Sequence, residues 1–387
     1  MHNADWIWQH PDWPKFTWQP ERLSPMLRSC IETQGRLLGI IGAVDSVAVT
    51  QNSLDAMLQN IVSSSAIEGE LINVESVRSS LAYRLGIAGE NNPGSRSENL
   101  VTLLMDAING DDQPLNEQRL FAWHSWLFTR DDFSLVGCEK IGQLRGEGPM
   151  QVISGRLDCP TVHFEAPPRT NLERQLADFL DWLETSQKDL SLDPLLRAGI
   201  AHFWFVTLHP FEDGNGRLAR IVTDMALAQG GSNAIRHYAM AASILGNRAG
   251  YYQVLETRQK GDLNITDWLE WFLATLLHSL DQALSHLDSI LAKTRFWEAY
   301  REAGLSSEQI KVLNRLLDGG EKGFEAGISA AQYQALSKVS KATATRHLSD
   351  LLEKGCLRRL PGGGRSTRYQ INQPGSTCCP TLTLSNA

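Results

Sequence analysis

The 387-residue chain has few of the features that mark secreted proteins, proteins stabilised by a structural metal, or membrane-spanning proteins. Its six cysteines are scattered and never form a C-x-x-C pair. This argues against a zinc site or a disulfide framework and favours reduced thiols. The first residues lack the basic patch and apolar run of a secretory signal. No uncharged apolar run reaches the length of a membrane span. We therefore expect a soluble, cytoplasmic protein with no membrane partner.

An excess of positive charge is also missing. Lysine and arginine number 36 against 44 aspartates and glutamates, which gives a net charge of -8 and a pI near 5.7. A general nucleic-acid coat protein is excluded by that balance. The length allows two or three domains with sizeable cores.

What the chain does contain is one glycine-rich stretch with many reactive side chains, His-Pro-Phe-Glu-Asp-Gly-Asn-Gly-Arg-Leu-Ala-Arg at 209–220. Residues 195–208 before it are apolar nearly all round, which predicts a helix buried in a bundle. A second apolar-periodic run, 218–228, follows. The glycines therefore lie in a loop that leads into a helix N-terminus, where unpaired amides and the helix dipole favour a phosphate.

The side chains of this loop fit the same purpose. Arg217 and Arg220 are three residues apart, so both can grip one end of a triphosphate. Asp213 is a hard oxygen ligand suited to Mg2+, and a neutral His209 can accept a hydroxyl proton. Taken singly, a buried histidine or a glycine turn is usually structural. Their coincidence indicates a phosphate-handling site.

The motif H-x-F-x-D-G-N-G-R-x-x-R resembles that of the Fic domain proteins, and no position departs from the pattern. Such enzymes typically move AMP from ATP to a Ser, Thr or Tyr hydroxyl of a target protein. The resemblance implies that His209 deprotonates the target and Asp213 holds Mg2+. It further implies that Asn215 and the loop amides bind the α- and β-phosphates, while Arg217 and Arg220 hold the β- and γ-phosphates. The implied ATP-binding stretch is Asp213, Gly214, Asn215, Gly216, Arg217, Leu218, Ala219 and Arg220.

The related Doc branch has lysine at the position of Gly216 and phosphorylates its targets, so the Gly216-Arg217 pair favours AMP transfer. Residues 142–145 resemble the signature that precedes the Fic flap, a hairpin that aligns the target peptide. Val152 and Ile153, followed by a β-prone run at 161–164, fit that hairpin on their own terms. The edge of such a hairpin can pair with an extended partner segment.

Residues 251–256 resemble the family's adenine pocket. Tyr252 and Leu255 are expected to flank the purine, and Glu256 and Gln259 to contact its polar edge. Read without the resemblance, a Tyr-Leu stripe on a helix is more often core packing.

Ser64 and Glu68 lie four residues apart, on one face of a predicted helix that ends near Gly69. The segment resembles the Fic inhibitory motif Ser/Thr-x-x-x-Glu-Gly/Asn. In that family the glutamate pairs with the second motif arginine, which is Arg220 in this chain, and displaces the γ-phosphate. The resemblance therefore implies autoinhibition by Glu68.

The N-terminus is rich in tryptophan, with four residues interleaved with prolines: Trp6, Trp8, Trp13 and Trp18. We expect these side chains to pack an extended N-terminal arm against a helical body. The alternative is that they form a peptide-binding groove.

The C-terminal region reads as three helices, at 307–317, 329–336 and 340–354, and two wing strands around a glycine tip at 362–364. This pattern resembles a helix-turn-helix with a wing. Between Lys338 and Arg368 there are eight basic residues against two acidic ones. Both DNA binding and protein docking remain open.

We therefore expect a mainly α protein: a Fic helical bundle with a β-hairpin flap and a small C-terminal winged helix. The expected regions are a regulatory segment at 1–92, the catalytic core at 93–285, a linker helix at 286–303, the winged helix at 304–372 and a disordered tail at 373–387. The expected activity is Mg2+-dependent AMP transfer from ATP to hydroxyls of target proteins and of the chain itself. Alternatives are removal of AMP from a modified target and a DNA-binding regulator with a nucleotide-sensing core. A homodimer is possible.

Overall fold

The computed structural model describes residues 5–44, 46–87, 95–110, 113–128, 140–156, 159–231, 233–319, 327–361 and 367–373. Parts of several predicted features lie outside these residues: the expected boundary at 92–93, the hairpin turn at 157–158, the glycine tip with Arg365, and the tail after 373. The described chain is mostly helical with few strands, so the predicted mainly α class is confirmed. It divides into two compact units, Met1–Leu284 and Ser285–Ala387.

The first unit consists of helices and one small hairpin. In chain order its helices are α1 (Pro20–Ala43), α2 (Ser46–Ile67), α3 (Val74–Arg84), α4 (Ser95–Asn109), α5 (Glu117–Leu127), α6 (Arg169–Thr185), α7 (Pro194–Leu208), α8 (Asn215–Gln229), α9 (Met240–Gly246), α10 (Arg248–Arg258) and α11 (Thr266–Ala299), whose end crosses the division. The strands are β1 (Gln151–Arg156) and β2 (Cys159–Glu165), paired antiparallel. None of the described helices is long and apolar enough to cross a membrane.

Helix α7 is the centre of this unit. All its residues from Leu195 to Leu208 are buried, as its mostly apolar sequence predicts. Its start is set by the Asp193 carboxylate, which accepts a hydrogen bond from the Leu195 amide, with Pro194 in the first turn. Helix α11 packs closely on it: a Cβ on Gly199 would lie 2.9 Å from Leu269. The buried core thus holds the C-terminal end of α7 in place.

The second unit contains α12 (Ser307–Leu317), α13 (Ala330–Ser337) and α14 (Lys341–Glu353), together with β3 (Ile328–Ser329), β4 (Leu357–Arg359) and β5 (Arg368–Ile371). The strands form an antiparallel sheet in the order β3-β5-β4. Helices α13 and α14 begin one residue later than predicted because Ser329 and Ser340 are their N-caps. Side chains from all three helices share one core, including Leu313, Tyr333 and Leu348.

Candidate active site

The glycine-rich loop lies at the mouth of a cavity of about 800 Å³ in the first unit. The cavity gathers the predicted residues from distant parts of the chain. Those that line it are Glu68, Val152, Ile153, His209, Asp213, Gly214, Asn215, Gly216, Tyr252, Leu255, Glu256 and Gln259. The side chains of Leu218 and Ala219 are instead fully buried, so a ligand would meet only their backbone.

His209 ends helix α7 in the left-handed conformation, with φ 49° and ψ 57°. Its Nδ1 lies 3.2 Å from the Val206 carbonyl oxygen. Only a protonated Nδ1 can donate a hydrogen bond to that oxygen. In the neutral ring, Nε2 then carries no proton and keeps its lone pair. Burial lowers the pKa of His209 to about 4 and outweighs the opposing hydrogen bond to Val206. The imidazole is therefore neutral near pH 7 and available as a base.

Two buried side chains hold the loop against the bundle. Arg145 donates from Nε to the His209 carbonyl at 2.8 Å and from Nη2 to the Pro167 carbonyl at 2.6 Å. Burial lowers the pKa of Arg145 to about 10, which still leaves it charged. His124 stacks on Phe211 with ring centroids 4.0 Å apart and lies 3.2 Å from the Asp213 carbonyl oxygen. Both residues act on backbone atoms beside the reactive side chains.

The Asn215 side chain, which lines the cavity, bonds to the backbone of the loop. Its amide oxygen accepts from the Phe211 amide at 2.9 Å, and its Nδ2 donates to the Phe211 carbonyl at 2.8 Å. The side chain thus closes the loop on itself. Gly214, at φ 79°, turns the chain into helix α8. The first amides of α8 have no intrahelical acceptors, so the backbone provides the phosphate seat that this arrangement favours.

Asp213 is the candidate metal ligand. Its Oδ1 accepts a hydrogen bond from Gly214, Oδ2 lies 3.6 Å from Arg217, and 43% of the side chain is exposed. The described residues contain no cluster of three or more metal-ligating side chains. A lone, accessible carboxylate suits Mg2+, which is commonly held by one or two carboxylates plus the phosphates of a nucleotide. The donor set therefore fits a metal that binds together with ATP.

Arg220 is occupied by the predicted inhibitory segment. Its Nη2 donates to Glu68 Oε1 at 2.8 Å, and its Nε donates to Ser64 Oγ at 2.8 Å. Burial opposes ionisation of Glu68, but the charges of Arg220, Arg217 and Arg248 outweigh it and lower the pKa of this carboxyl. Glu68 is therefore an anion close to the start of α8.

Gly216 shows how tightly that anion is placed. A Cβ at this position would clash with the Glu68 carboxylate. A larger residue, such as the lysine of the Doc branch, therefore cannot stand here while Glu68 remains in place. The absence of a side chain at Gly216 therefore leaves the space that the Glu68 carboxylate occupies.

A second carboxylate from the same segment occupies the other arginine. Glu70 Oε2 accepts from Arg217 Nη1 at 2.9 Å, and its Oε1 accepts from Arg96. The Arg217 side chain is only 6% exposed, and its guanidinium also lies 4.9 Å from the centre of the Phe128 ring. Both arginines predicted to hold phosphates are thus bound to acids of the N-terminal region.

The predicted adenine pocket lies along helix α10. The Tyr252 ring is 38% exposed, with the Arg248 guanidinium 5.4 Å from its centre. Leu255 is buried, and the Gln259 side chain donates to Thr207 at 3.1 Å. Glu256 accepts from Lys260 at 2.9 Å. Tyr252 is thus placed to cover a flat ligand, whereas Glu256 and Gln259 already have polar partners.

Glu70 and His124 were not predicted from the sequence as parts of the site. The contact of His163, in the hairpin, with Glu256 was not predicted either. Glu70 lies one position beyond the quoted inhibitory motif. The only available signal was a second acid next to Glu68 and Gly69. His124 stands on an ordinary amphipathic helix and offers no motif of its own.

Comparison with known proteins agrees with this geometry. Residues 114–227 match the family model described as Fic/DOC family, and residues 6–87 match a domain of unknown function, DUF4172. The chain therefore carries a Fic domain, and the sequence-based recognition is confirmed.

Relatives and solved structures extend the likeness. The chain is 38% identical over 89 residues to "Protein adenylyltransferase fic-1" of Caenorhabditis briggsae, covering 23% of this chain and 16% of that one. It is 26% identical over 239 residues to "Protein adenylyltransferase Fic" of Nematostella vectensis, covering 62% and 51%. The chain thus spans about half or less of these relatives. A Fic family protein from Desulfovibrio desulfuricans G20 shares the fold, with 20% identity, a TM-score of 0.53, and coverage of 92% and 98%.

Proposed function

We propose that this protein transfers AMP from ATP to a Ser, Thr or Tyr hydroxyl of target proteins and of itself. The observation that carries the proposal is the neutral His209 imidazole, whose Nε2 keeps its lone pair in a cavity that the glycine-rich loop also lines. The buried Arg217 and Arg220 follow this loop in helix α8. A site of this kind combines a base with a seat for a polyphosphate. The names of the relatives support AMP, rather than another group, as the part that is transferred.

In the proposed reaction, His209 Nε2 takes the proton of the target hydroxyl. The hydroxyl oxygen bonds to the α-phosphorus while the bond between that phosphorus and the bridging oxygen to the β-phosphate breaks. Pyrophosphate leaves with the electron pair. Asp213 would hold Mg2+, which neutralises phosphate charge when bound. The amides at the start of α8 and the guanidinium groups of Arg217 and Arg220 orient the phosphates.

We further propose that the N-terminal segment inhibits the reaction. Glu68 takes the Arg220 guanidinium that the γ-phosphate needs. Glu70 takes Arg217 in the same way and is held by Arg96. One guanidinium face cannot satisfy a carboxylate and a phosphate together, so ATP must displace both acids to bind in the reactive geometry.

Labelling of a cell lysate tests the proposed activity. The full chain is incubated with ATP that bears a tag on its adenosine part, and tagged proteins are captured and sequenced. We expect AMP-bearing Ser, Thr or Tyr residues in the captured proteins and in the chain itself. An absence of tagged residues, also with the Glu68→Gly variant, would contradict the proposal.

Removal of AMP from modified proteins is the second candidate, since the Glu68 carboxylate lies at the cavity wall where it can orient a water. The two activities make opposite predictions for Glu68. A removal activity would be lost in Glu68→Gly, whereas transfer would rise. Release of AMP from a captured, modified target distinguishes them.

The first testable prediction concerns Asp213. Asp213→Ala should lose most transfer activity, and added Mg2+ should not restore it, because phosphate charge is then no longer neutralised at the loop. Asp213→Asn is the matched variant, since it keeps the size and a weaker oxygen ligand. Transfer rates over a range of Mg2+ concentrations measure the effect. Full wild-type activity in a chelator would contradict the assignment.

The second unit favours a further role in DNA binding. Five of its basic residues are exposed on α14, on the turn before it, or on β4: Lys338, Lys341, Arg346, Arg358 and Arg359. The hydrogen bonds of Arg358 and Arg359 go to neutral groups, Gln370 and Thr367, so their charges are not cancelled there. We propose that this unit is a winged helix whose basic side chains contact phosphates.

The second prediction tests that surface. Arg358→Gln with Arg359→Gln should weaken binding to duplex DNA and reduce its salt dependence by about two counterions. Lys311→Gln with Arg315→Gln removes the same charge from exposed positions of α12 and serves as the control. Titration of a fluorescent duplex at several salt concentrations gives both quantities. If the intact chain binds no duplex in a salt-dependent way, protein docking is favoured instead.

A further inference from the structure

The hairpin that borders the cavity contains a bulge at His163. Val152 pairs with Phe164, whereas the next residue, Ile153, pairs with Val162. His163 is therefore one residue more than the ladder needs. Bulges change the direction in which a side chain points and are common beside active sites. This one stands where the hairpin faces helix α10.

The His163 imidazole bridges the hairpin and α10. Its Nδ1 lies 2.8 Å from Glu256 Oε2, and its Nε2 lies 2.6 Å from Ser154 Oγ. With Nδ1 protonated, the ring donates to the carboxylate and accepts from the hydroxyl. Both nitrogens are thus engaged, and all three side chains line the cavity. His163 therefore ties strand β1 to the helix of the adenine pocket.

The N-terminal arm at residues 6–8 supports the same junction. Trp8 Nε1 donates to the Glu165 carbonyl at 2.7 Å, and the Ile7 amide donates to the Gln259 carbonyl at 2.9 Å. The arm thus binds the end of β2 and the end of α10 together. Lys260 pairs with Glu256 and lies 5.7 Å from the centre of the Trp6 ring.

We propose that His163 and the arm at residues 6–8 are positioning elements. They set the distance between strand β1 and the glycine-rich loop at 209–220. They thereby align the target segment that pairs with β1. This inference rests on the proposed function, because the aligned group is the hydroxyl that His209 deprotonates. A misplacement of about 1 Å at such a site can cost about 100-fold in rate. It also gives part of the domain of unknown function a role in target alignment.

The third prediction follows, and it is measured in the full chain with the Glu68→Gly change that releases inhibition. His163→Ala should lower kcat/KM for an acceptor identified in the lysate labelling by about 10- to 100-fold. The Kd for α,β-methylene ATP should remain unchanged. His163→Gln should restore most of the loss, because its amide can donate to Glu256 and accept from Ser154. Trp8→Phe, which removes the indole N–H and one ring but keeps an aromatic side chain, should lie between.

Hydrogen exchange provides a readout that needs no acceptor. The amides of residues 151–156 should exchange faster in His163→Ala and not in the control His278→Ala, which changes an exposed histidine of α11. Unchanged exchange in the hairpin overturns the inference, as does a Kd for the analogue that rises in proportion to the loss of kcat/KM for the acceptor. If the Glu68→Gly protein transfers no AMP at all, the proposed function fails, and hydrogen exchange alone then decides the role of His163.

Discussion

Glu68→Gly should raise AMP transfer by about tenfold or more, since it removes the carboxylate that competes with a phosphate for Arg220. A tenfold change corresponds to about 1.4 kcal/mol. The ion pair between Glu68 and Arg220 can contribute that much, because the arginine side chain is only 4% exposed. Glu68→Asp has a shorter reach and should fall between. Initial rates of labelling with ATP and a fixed acceptor measure the effect.

Several variants separate inhibition from a general change in the protein. Glu75→Gln alters an exposed carboxylate of α3 and should leave the rate unchanged. Adding Glu70→Gln to Glu68→Gly should raise transfer further, because Arg217 then no longer pairs with the Glu70 carboxylate. Arg220→Ala should stay inactive with either change, since the same guanidinium is needed to seat ATP. A transfer rate that does not change in Glu68→Gly would show that the segment is an ordinary helix end.

His209→Ala should lower transfer by about 10²- to 10⁴-fold, as is typical when a general base is lost. ATP binding should remain, because the imidazole meets the target hydroxyl and not the phosphates. Alanine is strained at φ 49°, so His209→Asn, which tolerates the left-handed region, is the better backbone-preserving variant. His278→Ala is the matched control on an exposed histidine.

The pH dependence of transfer adds a second test of the same residue. The base is active when neutral, and a neutral form exists above its pKa. With the pKa of His209 lowered to about 4 by burial, ionisation of this group should not reduce transfer between pH 7 and 5. Equal labelling by the His209 variants, or a loss of rate centred near the ordinary histidine pKa of about 6.5, would contradict the assignment.

The structure of the loop could be predicted because residues within the loop and next to it in the sequence determine it. An all-apolar run that ends at Pro210 predicts a buried helix, and Gly214 predicts the turn into the next one; both are found. The pair between Glu68 and Arg220 joins residues 152 apart in the sequence. It was accessible only through the family resemblance, since no periodicity links the two segments.

Other parts of the site depend on tertiary contacts that leave no sequence signal. The bulge at His163 arises from a one-residue mismatch between two strands, which a pattern of alternating side chains does not reveal. The Asn215 amide exchanges two hydrogen bonds with the Phe211 backbone. These bonds depend on the loop conformation and cannot be read from the residue type. His124 became relevant only once its helix brought it against Asp213.

In the proposed reaction the α-phosphate of ATP, with its adenosine, ends on a protein hydroxyl. This transfer can be followed by incubating the Glu68→Gly protein in parallel with ATP labelled at the α-phosphate and ATP labelled at the γ-phosphate. We expect protein-bound label from the α-phosphate alone, together with release of pyrophosphate and loss of labelling in His209→Asn. Label carried over from the γ-phosphate, or none from either, would contradict it.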